Sequence, residues 1–143
     1  MTPISCYIRT LNEERLIGEV LAAAKRLTDD VIILDSGSTD KTLDIAKNLD
    51  ARIIQQHWLG NGKQKRIGED AAKHNWVLDI DADEILSDGL TDEIRALLGS
   101  LPDPSTLYAL RLVTVPPIGR PWYNFDNVRR IKIYNTSLSL IHI

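Results

Sequence analysis

The chain has 143 residues, 43% of them hydrophobic and 26% charged, which suits one globular domain with its own core and excludes a disordered tail. Cys6 is the only cysteine, so a disulfide scaffold is excluded; no apolar run nears the roughly 20 residues that cross a bilayer, and the start MTPISCYIRT lacks the pattern of a signal peptide, so a cytoplasmic, soluble chain is expected. The formal net charge of −3 is uneven: residues 1–100 carry 12 basic and 18 acidic side chains, residues 101–143 five and two. The acidic body argues against a nucleic-acid surface, while the basic segment suits an anionic partner or a merely solvated surface.

In chain order, ISCYI (4–8) is a short apolar run that predicts a buried strand. Residues 13–27 place Leu16, Ile17, Val20, Leu21, Ala24 and Leu27 on one helical stripe, with Asn12 as the expected N-cap. Val31–Leu34 is a β-favouring run ending in Asp35. SGSTD is a turn, and Ser38 or Thr39 is the expected cap of a helix over 40–48. RIIQ (52–55) predicts a third strand, HWLGNG (57–62) a loop, 63–73 a helix and NWVLDI (75–80) a fourth strand running into Asp81, Ala82, Asp83 and Glu84. Ser87 is placed to cap a helix over 88–98 that Gly99 closes, and 107–115 and 128–134 read as two further strands. Trp58 and Trp76 are assigned to packing. Alternating strands and helices predict an α/β fold with a mainly parallel sheet, whose ligands sit at the carboxyl ends of the strands. Three polar loops fall there: Thr10–Glu14, Asp35–Asp40 and Asp81–Glu84.

The acidic run carries the strongest chemical signal. In an extended segment Asp81 and Asp83 project to one side. Two carboxylates there need a compensating cation or hydrogen-bond donors, and a hard divalent ion takes few protein carboxylates and fills its shell with phosphate oxygens and water. A calcium-binding EF-hand loop is rejected, because its sixth and twelfth positions hold Glu84 and Leu90 and a strand precedes it. A phosphatase with an aspartate nucleophile (Asp79 or Asp81) ranks low, since strand 1 ends without an aspartate; a solvated, capped turn is the bland alternative. DSGSTDKT (35–42) offers backbone amides and a carboxylate to a base or ribose, or is simply a well-capped turn. GNGKQKRIG (60–68) holds the dense basic cluster Lys63, Lys65 and Arg66, suited to a diphosphate, although Lys63 and Arg66 fit a solvated helix face better.

Together ISCYIRTLNEE, VIILDSGSTDKT, GKQKRIG and VLDIDADEIL resemble the family 2 glycosyltransferases of GT-A fold, and among them the lipopolysaccharide-core glucosyltransferase branch. The resemblance implies a nucleotide-sugar donor, most often a UDP-sugar, and inverting transfer to a hydroxyl of a glycan or glycolipid acceptor, with contact at the inner face of the membrane. It places Thr10, Asn12 and Glu13 in the nucleotide pocket, Asp35 and Ser36 by the base, and Lys65 where relatives often carry an arginine. Asp81 would approach the ribose or metal, and Asp83 would ligate Mg²⁺ or Mn²⁺ bridging the diphosphate. Ser36 departs from the second acid many relatives carry there. The resemblance also implies one GT-A domain over 1–143, with 1–100 the donor-binding half and 101–143 the start of an incomplete acceptor-side region that lacks the general base. Trp122 and Tyr123 fall where relatives meet the acceptor, and His142 is weighed as a neighbour of the base motif or as a terminal surface histidine. The alternative function is a nucleotide-binding or assembly module without catalysis.

Overall fold

The computed structural model describes residues 1–116, 118–122 and 128–138. Six strands form one sheet: β1 (Ile4–Thr10), β2 (Val31–Asp35), β3 (Arg52–Gln55), β4 (Trp76–Asp81), β5 (Tyr108–Arg111) and β6 (Arg129–Asn135), in the order β3-β2-β1-β4-β6-β5. The first four are mutually parallel, and β6 runs antiparallel to both β4 and β5. The mainly parallel α/β architecture therefore holds. β1, β2 and β4 are buried along nearly their whole length, which is why their sequences are continuous apolar runs rather than alternating ones.

Helices α1 (Ile17–Leu27), α2 (Thr42–Asn48), α3 (Asn61–Ala71) and α4 (Asp88–Gly99) connect the strands. α1 contacts α2 and α4, and its Ile17, Val20, Leu21 and Ala24 join Ile4, Cys6, Ile8, Leu78 and α4's Ile94 and Leu98 in the main core. The smaller cluster Tyr7, Ile32, Val77 and Tyr134 packs with Ala71 and Ala72 at the end of α3. α3 lies so close to the sheet that a Cβ on Gly68 would stand 2.6 Å from the Tyr7 ring, so this position admits only glycine without a shift. The Tyr7 and Tyr134 hydroxyls are 2.7 Å apart, and Tyr134 donates to Glu69 Oε1 at 2.8 Å; burial pushes both phenols up from their ordinary pKa.

At the amino ends of the strands Asp30 is a second buried hub. Its carboxylate accepts from Ser5 Oγ at 2.5 Å, from the Lys73 amide at 2.9 Å, and from Arg52 Nε and Nη2 at 3.0 and 2.8 Å. Burial alone would raise its pKa, but these bonds outweigh it and hold the carboxyl below the usual range.

Several local expectations are corrected. α1 begins at Ile17, not residue 13, and its N-cap position is Leu16, with no side-chain cap. Asn12 instead adopts φ 50° and bonds to the second loop, because a short amide side chain tolerates the left-handed region. α2 begins at Thr42, whose amide is capped by Asp40 Oδ1 rather than by Ser38 or Thr39. α3 starts two residues earlier than expected, and β5 stops at Arg111, four residues short of the expected strand end, with an isolated Thr114–Trp122 bridge following among the described residues. Trp76 is buried and its ring centroid lies 6.0 Å from that of Tyr108, but Trp58 is 53% exposed and does not pack in the core. The Ser87 cap is as expected, its hydroxyl accepting from the Leu90 amide. Tyr123, Asp126 and His142 lie outside the described residues.

Candidate active site

Chain order reverses between β1 and β4: β2 and β3 extend the sheet on one side of β1, and the chain then crosses to place β4 on the other. In open parallel sheets this switch point opens a crevice at the carboxyl ends of the strands. Arg9 and Thr10 of β1, Asp35 of β2 with the following Ser36, and Asp81 of β4 all lie there; Thr10 is in register with Asp35 and Arg9 with Asp81.

The first two loops are stitched together. The Asn12 amide donates to Ser38 Oγ, and Asn12 Oδ1 accepts from the Thr39 amide at 2.8 Å. The Glu13 amide donates to Thr42 Oγ1 and the Glu14 amide to Asp40 Oδ2, while Glu14 Oε2 accepts from the Lys41 amide. Glu14 and Asp40 thus meet the free amides at the start of α2 with carboxylates, which the positive end of the helix favours. Asp35 is buried, and its carboxylate accepts from the amides of Gly37 and Ser38 and from Ser38 Oγ. Gly37, at φ 112°, makes that fold-back feasible. Thr10 is also buried; its hydroxyl donates to the Ile8 carbonyl and its own carbonyl accepts from the Ser36 amide. Ser36 is left with its hydroxyl toward Gln64, whose Nε2 lies 3.4 Å away. Gln64 is fully buried, and its carbonyl oxygen lacks a hydrogen-bond partner.

A charged cluster lies beside these loops. Arg9 Nη2 stands 2.8 Å from Asp81 Oδ1 and 3.5 Å from Asp79 Oδ1, and Lys65 Nζ lies 2.8 Å from Asp79 Oδ2. Asp79 is only 1% exposed, so its charge requires these two cations. Buried and paired in this way, it is a poor nucleophile, which counts against Asp79 as the residue phosphorylated in the aspartyl-phosphate alternative. Lys63 and Arg66 are exposed, as expected of a solvated helix face.

Beyond β4 the chain turns, and the Glu84 amide donates to the Asp81 carbonyl. The expectation of Asp81 and Asp83 within one extended segment is thereby corrected, because the strand ends at Asp81. Asp81 joins the Arg9 cluster, whereas Asp83 is exposed and lines a cavity of about 930 Å³ together with Glu84, Leu90, Leu110 and Lys132. Among the described residues Asp83 has no hydrogen-bond or ion-pair partner, and no group of three or more His, Cys, Asp or Glu is arranged to hold a metal ion. One free carboxylate and one partly engaged suit a hard divalent ion that takes most of its oxygens from phosphate and water.

Arg9 and Lys132 were not anticipated from the sequence, and Gln64 and Glu84 were read within their motifs but not in the contacts they make. Lys132 carried a readable signal: in RRIKIY it alternates with Ile131 and Ile133 and so must face away from them in a strand.

With this geometry in view, residues 5–135 match the family model Glycosyl transferase family 2. An uncharacterized glycosyltransferase of Rickettsia typhi is 46% identical over 100 residues, 70% of this chain and 34% of that protein. The lipopolysaccharide core biosynthesis glycosyltransferase LpsC of Rhizobium meliloti is 30% identical over 132 residues, 89% of this chain and 47% of that protein. Among solved structures, glucosyl-3-phosphoglycerate synthase from Mycobacterium tuberculosis, in complex with Mn²⁺, UDP and phosphoglyceric acid, superimposes with a TM-score of 0.60 at 28% identity, covering 74% of this chain and 42% of that one. The chain spans about a third to a half of the length of these relatives. The fold is the GT-A fold of these glycosyltransferases. The chain belongs to the family 2 glycosyltransferases.

Proposed function

We propose that this chain binds a nucleotide-sugar, a UDP-sugar, across the carboxyl ends of β1, β2 and β4 and serves its transfer to an acceptor hydroxyl with inversion. The observation that carries the reading is the Asp83 carboxylate, without a partner among the described residues and two positions beyond Asp81 of the Arg9–Asp81–Asp79–Lys65 cluster at the switch point. In this reading Asp83, with Asp81, holds Mg²⁺ or Mn²⁺, which when bound neutralises charge on the departing nucleoside diphosphate. Ser36 and the neighbouring Gln64 meet the base. Thr10, Asn12, Glu13 and Asp35 shape the pocket wall through the bonds that join the first two loops, and Lys65 turns from Asp79 toward the diphosphate. A glycan or glycolipid acceptor rests on the likeness to the lipopolysaccharide-core relative.

One observation favours the second reading, a nucleotide-binding module without turnover. Inversion needs a carboxylate to take the acceptor's proton, and the one described carboxylate after residue 100, Asp103, accepts from the Ser105 amide and hydroxyl, which hold its pKa below the usual range. Calorimetry with UDP-glucose tests the shared premise. Mn²⁺-dependent binding is expected, with at least about tenfold weaker affinity in Asp83→Ala, roughly 1.4 kcal/mol; no metal-dependent binding of any nucleotide-sugar overturns it. Transfer and donor-hydrolysis assays then separate enzyme from module.

A further inference from the structure

Lys132 sits in β6 and is 4% exposed, a position an ammonium group tolerates only with an anionic partner. That partner is Glu84, whose Oε2 lies 2.8 Å from Lys132 Nζ. The same oxygen accepts the Asp81 amide at 2.9 Å. Two further bonds close the turn: the Glu84 amide donates to the Asp81 carbonyl at 3.0 Å, and the Ala82 amide to the Arg9 carbonyl at 3.2 Å. One carboxylate therefore ties the backbone of Asp81 to a strand that enters the sheet from the opposite direction. Glu84 and Lys132 also line the cavity that Asp83 faces.

We infer that Glu84 and Lys132 are a positioning couple that presets the Asp81–Asp83 turn to receive a divalent cation with a nucleoside diphosphate. The inference rests on the functional reading above, in which Asp81 and Asp83 take that cation. Neither Glu84 nor Lys132 touches the ligand; they act through the Asp81 amide. Glu84 alone would leave the turn free to swing with its own side chain. Lys132 fixes the carboxylate because its burial leaves the ammonium no equally good alternative in solvent. The arrangement holds the two carboxylates in place before any ligand arrives, so that less ordering accompanies binding.

The test uses the full chain and two readouts: hydrogen exchange of the Asp81 amide without metal, and UDP affinity with and without Mn²⁺. In Lys132→Met the Asp81 amide is expected to exchange at least tenfold faster. Affinity for UDP with Mn²⁺ is expected to fall about tenfold, while metal-free UDP affinity changes less than twofold. Lys132→Arg should recover most of the loss. Should Lys132→Met fail to fold, the isosteric Glu84→Gln, which weakens the ion pair at constant volume, carries the same expectations. A folded variant with unaltered Mn²⁺-dependent affinity overturns the couple, whether or not its amide exchange changes. Absence of Mn²⁺-dependent UDP binding in the unaltered chain is a different failure, and it removes the functional reading itself.

Discussion

Two buried aspartates, at opposite ends of the parallel strands, solve one electrostatic problem differently. Asp30, at the amino ends, is closed by a hydroxyl, a backbone amide and a two-pronged arginine, all in good hydrogen-bond geometry. Asp79, toward the carboxyl ends, is balanced by two side-chain cations, Lys65 and Arg9, that are themselves partly exposed. The first arrangement leaves nothing over for a ligand and locks β1, β2, β3 and the segment before β4 together. The second keeps two positive groups at the crevice, where an anionic ligand can compete for them. A buried carboxylate whose partners are backbone and packed side chains keeps them for the fold, whereas one paired with part-exposed side-chain cations at an opening leaves those cations within reach of a ligand.

Breaking Asp30 should have the largest effect on stability. Asp30→Asn turns one acceptor oxygen into a donor among donors and leaves Arg52 unpaired, so a loss of about 3 kcal/mol is expected in denaturant unfolding, with UDP affinity unchanged. Because the folded pKa lies below the ordinary value, Asp30 contributes its full stabilisation above the unfolded pKa of about 4 and loses it as pH falls through the lowered folded value. The acid limb of the stability curve should therefore flatten in Asp30→Asn. Asp79→Asn is expected to lose less, about 2 kcal/mol, since Lys65 and Arg9 can turn toward water. It should nevertheless change UDP affinity, which Asp30→Asn should not. Equal effects of the two variants on UDP binding would erase the distinction.

The sheet, all six of its strands and the three converging loops were legible from apolar runs and turn residues, because strands buried on both faces, as β1, β2 and β4 are, admit little else. Helix starts were less so. The polar residues ahead of α1 and α2 look like caps in each local window, yet Asn12, Glu14 and Ser38 bond between the two loops, a pairing that exists only once β1 and β2 are adjacent. Arg9 was hidden for the same reason: its meaning comes from Asp81, its register partner on β4, 72 positions along the chain. Asp83 was legible as part of an acidic motif, but its separation from Asp81 by a turn was not, because the bonds at that turn run from Asp81 to Glu84 and from Glu84 to Lys132, a residue of β6 far along the chain.

The stitched loops give the smallest and most discriminating prediction. Asn12 Oδ1 takes the Thr39 amide at 2.8 Å, and its own amide meets Ser38 Oγ at 2.9 Å. Asn12→Ala removes the first of these, with the longer 3.4 Å bond from the Asp40 amide to the same oxygen, at an exposed site where water can replace the carbonyl oxygen, and it asks alanine to hold φ near 50°. Both costs are small, so about 1 kcal/mol of global stability is expected to be lost. The consequence for the crevice should be disproportionate, because Ser38 also holds the Asp35 carboxylate and so fixes the turn that carries Ser36. If the loops form one preset wall, Asn12→Ala should weaken metal-free UDP binding severalfold and speed exchange of the Thr39 amide, leaving the Asp81 amide unaffected. If UDP binding is unchanged while stability drops as expected, Asn12 belongs with Asp30 among the residues that only hold the fold.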